Sequence, residues 1–169
     1  MSDNPPADQP DEMAALATRL FDAARAGDTA LLDQALAHRL PPDLRNDRGD
    51  SLLMLAAYHG QLDAVRLLLQ HGASPDLAND RGQTPLAGAV FKGETAIVGA
   101  LLEHGAAVDA AGPDGRTALM VAAMFNRDEL VERLLQAGAD RTARDASGAT
   151  AAQMARAMGA RNTLALLQD

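Results

Sequence analysis

The sequence predicts an all-α solenoid of about five stacked helix–turn–helix units. Three observations predict it. Gly49, Gly82, Gly115 and Gly148 recur at intervals of 33 residues, and a fixed period of that length marks a repeat architecture. The same period links Gly27, Gly60, Gly93, Asn126 and Gly159, and again Gly72, Gly105 and Gly138, the last three each followed by Ala. Aromatics make up only 2% of a chain that is 47% hydrophobic. The core must therefore be built from Ala, Leu, Val and Met, which suit closely packed helices.

Three units align without gaps, at 47–79, 80–112 and 113–145. Shorter, more divergent relatives flank them, an N-cap unit over 13–46 and a C-cap unit over 146–169. Each unit opens on an N-cap residue, Ser51, Thr84, Thr117 or Thr150, whose hydroxyl can accept from the free amides of a first helical turn. Pro85 follows one of them at the first helical position, where its missing N–H costs nothing. The first helix runs about nine residues, to Gly60, Gly93, Asn126 or Gly159, where the chain must turn with φ > 0. Asn at 126 fits, being the best substitute for Gly in the left-handed region. A second helix then carries Ala64, Val65, Leu68 and Leu69, with counterparts Ile97, Val98, Leu101 and Leu102, and Leu130, Val131, Leu134 and Leu135. That spacing makes one apolar stripe. Gly72, Gly105 and Gly138 end these helices, and polar stretches such as Asp76–Arg81 return the chain to the next unit.

The unit resembles the ankyrin repeat, whose pattern places G-x-T-P-L-H-x-A-A in the first helix, then V-x-L-L-L and G-A. The matching pieces here are GQTPL (Gly82–Leu86), AAYHG (Ala56–Gly60), VRLLLQHGA (Val65–Ala73) and LLEHGA (Leu101–Ala106). The resemblance covers residues 13 to 169. Departures are local: the family's His after Pro-Leu is Met54, Ala87 and Met120, and its Pro is Leu52 and Ala118 in two units. The resemblance implies antiparallel helix pairs stacked side by side, with hairpin-like loops projecting at right angles. The ends read as caps. Asp22 stands where inner units have Leu55 and Val121, and Arg156 stands where they have Ala57 and Ala123. A polar group suits those places if no neighbour covers them.

Composition bounds the rest. Residues 1–12, MSDNPPADQPDE, hold four acids, three prolines and no base. They read as a disordered acidic tail, with too little apolar surface to offset ordering entropy. They also lack the basic start and apolar stretch of a secretory signal. Cysteine is absent, which removes disulfides and thiolate chemistry, and a cytoplasmic location is the default. No continuous apolar run approaches the length of a membrane span. A net charge of −8 and a pI near 4.8 argue against nucleic acid, whose binding draws on Lys and Arg. Arg-rich basic content with Lys92 as the sole lysine, together with abundant Ala, suggests a bacterial origin.

Candidate chemistry is sparse. His38, His71 and His104 form a 33-residue ladder. Packed helices stand about 8–10 Å apart, whereas ligands of one zinc ion lie about 2 Å from it. Adjacent rungs cannot share a metal, and the histidines are expected to face the free carbonyls of their own helix ends. No nucleophile elbow, HExxH pair or phosphate loop occurs. DRGD (Asp47–Asp50) and NDRG (Asn79–Gly82) lack the spacing and bidentate Glu of a calcium loop. The sequence thus implies no catalytic residue, no metal and no cofactor.

The aromatics point elsewhere. Phe21, Tyr58, Phe91 and Phe125 are the full set, and three of them fall just before the inter-helix turn, at Tyr58–His59, Phe91–Lys92 and Met124–Phe125. Flanking units place Arg25 and Met158 in the same stripe. The resemblance implies that these positions line a concave groove. Aromatics, Met and Arg are the types enriched at interface cores. Of the loop-tip charges Arg45, Arg48, Arg81 and Arg144, Arg48 and Arg81 hold equivalent positions in successive units and project beside the groove, suited to acidic groups. The reading is a non-catalytic module that binds an unidentified protein partner, as a monomer or weak homodimer. Its alternatives are self-association through the same stripe, and a small-molecule binder or enzyme, which would need a convergent polar pocket.

Overall fold

The structure, a computed structural model, describes residues 9–168. Ten helices follow one another among them: α1 Gln9–Ala26, α2 Thr29–Ala37, α3 Leu52–Tyr58, α4 Leu62–Gln70, α5 Pro85–Lys92, α6 Thr95–Glu103, α7 Ala118–Met124, α8 Asp128–Gln136, α9 Ala151–Met158 and α10 Arg161–Leu167. The odd-numbered helices pack in one row, each against the next, and the even-numbered helices form a second row behind them. This is the expected solenoid. The expected tail lies outside the described residues as far as residue 8. From Gln9 the chain is already helical, so the last four residues of that stretch belong to α1. Pro10 stands in its first turn, where a missing N–H is no loss, and Glu12 meets the positive end of the helix dipole.

The N-caps are where the hydroxyl pattern put them. Ser51 Oγ accepts from the Met54 amide at 3.0 Å, Thr84 Oγ1 from Ala87 at 3.2 Å and Thr117 Oγ1 from Met120 at 3.4 Å. Thr150 accepts from the Gln153 amide while Gln153 Oε1 accepts from the Thr150 amide, a reciprocal capping box. The second helices begin without a side-chain cap at Gln61, Glu94, Arg127 and Ala160. Packing holds them instead: Val65, Leu68, Val98, Leu101, Val131 and Leu134 are fully buried. Ala56, Ala57, Ala89, Ala122, Ala123 and Ala155 are equally buried in the first row. Such small side chains let these helices approach closely, and burying them costs no rotamer entropy.

Four hairpin-like turns stand off the first row, closed by Asn46 N→Asp50 O, Asn79 N→Gln83 O, Gly112 N→Arg116 O and Asp145 N→Ala149 O at 2.9–3.0 Å. Side chains preform them. Asn46 Oδ1 accepts from the Arg48 and Asp50 amides, Asn79 Oδ1 from Arg81 and Gln83, and Asp145 Oδ1 from Ser147 and Ala149. Gly112 has no side chain to do this, and Asp114 Oδ1 accepts from the Arg116 amide instead. Adjacent tips are tied through backbone, Asp80 N→Arg48 O at 3.1 Å and Ala146 N→Asp114 O at 2.9 Å.

A second tie runs between units behind the hairpins. Asp43 Oδ1 accepts from the Ser74 amide, Asp76 Oδ1 from Ala107 and Asp109 Oδ1 from Asp140, all at 2.8–2.9 Å. The signal was in the sequence, as another set of residues 33 apart. Sequence alone does not show its role, because an Asp in a polar stretch looks like a solvated charge until its partner one repeat away is seen.

Two expectations need correction. His38 and His104 do donate through Nδ1 to the carbonyls of Gln34 and Ala100, at 2.7 and 2.8 Å. His71 does not face its own helix end: its Nε2 reaches Asp33 of the preceding unit at 3.2 Å. The register of Asp22, Leu55, Gly88 and Val121 is a buried inter-unit position only in part, for Leu55 packs in the core. Gly88 and Val121 are only half-buried, and this row forms the floor of an open groove.

Candidate functional site

That groove has a volume of about 800 Å³. The left-handed turns that end the first helices place its wall. Gly93 adopts φ +81°, and Phe91 and Lys92 stand on the outer surface in the two residues before it. A β-carbon on Gly93 would collide with the guanidinium of Arg127, which lies against the turn and donates to the Phe91 carbonyl at 3.4 Å. Glycine at that position therefore serves both the backbone and the neighbour.

Tyr58, Phe91 and Phe125 are 41%, 51% and 47% exposed, the largest apolar side chains of the described residues and yet outside the core. Only Phe21, among the aromatics, is buried. Phe91 and Phe125 meet edge to face, with centroids 5.7 Å apart and planes at 84°, the arrangement that ring quadrupoles favour. Tyr58 meets His59 at 5.6 Å, and Lys92 Nζ stands 5.2 Å from the Tyr58 ring. The guanidinium of Arg127 lies 6.0 Å from the Phe125 ring. These contacts order an exposed aromatic stripe before any partner arrives, so less freedom remains to be lost on binding.

Of the residues expected at the site, Arg25, Arg48, Tyr58, His59, Arg81, Phe91, Met124 and Phe125 line the groove. Lys92 reaches it only through its stacking on Tyr58. Met158 is 58% exposed but does not line it. Sequence reasoning missed Met54, Gly88, Val121 and Arg116 in the lining, because they stand one turn earlier on the same face or on a neighbouring hairpin. It also missed Arg127, which braces the aromatic stripe. The arginines of the tips divide sharply. Arg45 is committed to the Gly49 and Ala78 carbonyls and to Asp80 Oδ1 at 3.3 Å, and Arg144 donates to the Gly148 carbonyl at 2.7 Å. These two brace hairpins. Arg48 and Arg81 form no ion pair with any described residue.

Among the described residues, no group of three or more His, Asp or Glu could hold a metal ion, and no helix is long and apolar enough to cross a membrane. Two carboxylates are held below the usual range, both in surface turns. The Asp145 carboxyl is lowered first by the Ser147 hydroxyl and then by the Ala149 amide, and Asp140 first by the Thr142 hydroxyl and then its amide. Both bonds shape loops, and neither residue lines the groove.

Comparison with known proteins fits this architecture. The family model for ankyrin repeats in three copies matches residues 20–112, and one for ankyrin repeats in many copies matches residues 101–155. A Pseudomonas aeruginosa protein described as an ankyrin repeat protein is 54% identical over 67 residues, 40% of this chain. The match covers 39% of that relative's length. The chain belongs to the ankyrin-repeat family. Ankyrin repeats are generally protein–protein interaction modules, and the family is generally non-catalytic.

Proposed function

We propose that this chain recognises a partner protein through the groove between its hairpins and its first-row helices, without catalysing a reaction on it. One observation carries the reading: in a chain with 2% aromatics, Tyr58, Phe91 and Phe125 stand exposed side by side along that groove. Leaving these side chains about half exposed forgoes roughly half of the 1.5–3 kcal/mol that fully burying each would contribute. Aromatics in that condition on one contiguous face are typical of an interface core. The cytoplasm is the compartment this reading assigns.

The test is affinity capture from the native host with the intact chain as bait and the Phe91→Ala/Phe125→Ala double variant as control. A partner retained by the parent and lost by the folded double variant supports the groove. Equal retention by both would place the interface elsewhere. Light scattering across a concentration series separates the same stripe acting in a symmetric dimer, since a dimer that dissociates on the double substitution would identify a second copy as the occupant.

A further inference from the structure

We propose that the groove takes an extended acidic segment of the partner, with two carboxylates three residues apart and an apolar side chain between them seated at Gly88. This rests on the groove being the binding surface and adds the chemistry of what fills it.

Charge is the first argument. The chain carries −8 overall, yet arginines outnumber acids in the groove lining, Arg25, Arg48, Arg81 and Arg116 against Asp50 and Asp114. Asp50 accepts from Asn79 Nδ2 at 2.8 Å and from Asn46 Nδ2 at 3.4 Å. Asp114 accepts from the Arg116 amide at 3.1 Å and lies 3.5 Å from Arg116 Nε. Arg25 is matched by Asp22 at 2.8 Å. Asp50 keeps its charge, its donors being neutral amides, and the cations of the groove with no ion-pair partner among the described residues are Arg48 and Arg81. They stand at the same position of consecutive hairpins that a backbone hydrogen bond holds in register. Neighbouring repeats stack about 8–10 Å apart, which sets the spacing of the two equivalent backbone positions. An extended chain in the polyproline II conformation rises about 3.1 Å per residue with three residues per turn, so carboxylates three residues apart lie on one side and span about the same distance, while a residue between them turns toward the helices. Guanidinium and carboxylate then meet in the paired geometry that both prefer.

Shape is the second. Leu55 and Val121 fill the groove floor in the units on either side, and Gly88 leaves it empty. A β-carbon at 88 would lie 3.7 Å from Met54 Sδ and 3.7 Å from Tyr58 Cδ2, at ordinary contact distance. The notch is thus floored by apolar atoms and flanked by Phe91, in edge contact with Phe125. It suits an aliphatic side chain carried in from outside, and a polar one would be desolvated there without a partner.

A display library of random, unstructured peptides, selected on the full chain, tests both. Enriched sequences should be acidic, with two carboxylates three apart and an apolar residue between. Synthetic copies should bind Arg48→Glu/Arg81→Glu about tenfold more weakly or worse, two charge-assisted contacts having become repulsive. Gly88→Leu, which plugs the notch and favours the helix, should weaken them similarly. Arg48→Gln/Arg81→Gln, a milder change on the same exposed side chains, should give a smaller loss and a flatter salt dependence. Basic or wholly polar enriched peptides would overturn the proposal, as would acidic peptides that bind the charge-reversed chain as well as the parent. Peptides lost on Phe91→Ala/Phe125→Ala but unaffected by the arginine changes would sink this chemistry and leave the groove as the binding surface. Peptides indifferent to both sets, or no enriched peptide at all, would overturn both.

Discussion

Thr84 and Thr117 each satisfy one amide that the first turn of their helix would otherwise leave open. Replacing either with Ala should cost about 0.5–2 kcal/mol, read as a lower urea midpoint at unchanged slope. Thr117 is nearly buried and Thr84 half-buried, so water can replace the lost hydroxyl more readily at 84, and Thr117→Ala should be the costlier. Asp145 makes a different kind of bond. Its folded-state pKa is lowered, chiefly by the Ser147 hydroxyl, so the carboxylate stabilises the fold at pH values above its unfolded value. That contribution is lost as pH falls through the folded value, in the region below about pH 4. Asp145→Asn keeps the oxygen that accepts from Ser147 and Ala149, as Asn46 and Asn79 do in the other hairpins. Melting temperature followed from pH 6 downward, limits set by the carboxylate range, should therefore fall less steeply in Asp145→Asn than in the parent. Identical acid profiles would show that the shift carries no stability.

The element that departs most from its siblings is the helix pair α5 and α6. Gly88 sits inside one helix and Gly99 inside the other, and each costs roughly 0.5–1 kcal/mol relative to Ala in backbone entropy. Val90 is fully buried on another side of α5 and cannot fill the place of the missing side chain at 88. Gly99 is a close approach: a β-carbon there would touch the end of the Arg133 side chain, which is flexible and able to move aside. In a stack of units coupled only to neighbours, a weak unit stays locally weak. Segment-resolved amide exchange should therefore be faster over Thr84–His104 than over Ser51–His71 and Thr117–Ala137. The opposite order would show that the backbone ties to either side outweigh the glycines. The aspartate rungs are one such tie, since Asp76 holds the Ala107 amide of the following unit.

Across the whole molecule, stability and recognition are drawn from different faces. The buried Leu and Val of the second row and the buried Ala of the first hold the stack, while Tyr58, Phe91 and Phe125 stand outside it. Phe91→Ala and Phe125→Ala should each cost well under the roughly 3–5 kcal/mol of a core Phe truncation, measured by urea titration. Losses of that size in both would mean the stripe is part of the core. The single substitutions are not independent, because the two rings touch, so the double variant should cost somewhat less than their sum.

Much of this was legible in order of residues alone. The 33-residue period, the hydroxyl before each first helix and the left-handed Gly or Asn after it are local requirements of backbone geometry, and local chemistry meets them without reference to the rest of the chain. The aromatic stripe followed from the same period. The sequence could not say which arginines were spent, because Arg45 and Arg48 read alike until the Ala78 carbonyl, 33 residues on, closes on one of them. Nor could it say that Gly88 empties a groove and not the core, or that His71 turns to Asp33 while His38 and His104 turn to their own helices. Those outcomes depend on how one repeat lies against the next. A period fixes which residues are equivalent, but contacts across the stack decide which of the equivalent side chains find a partner.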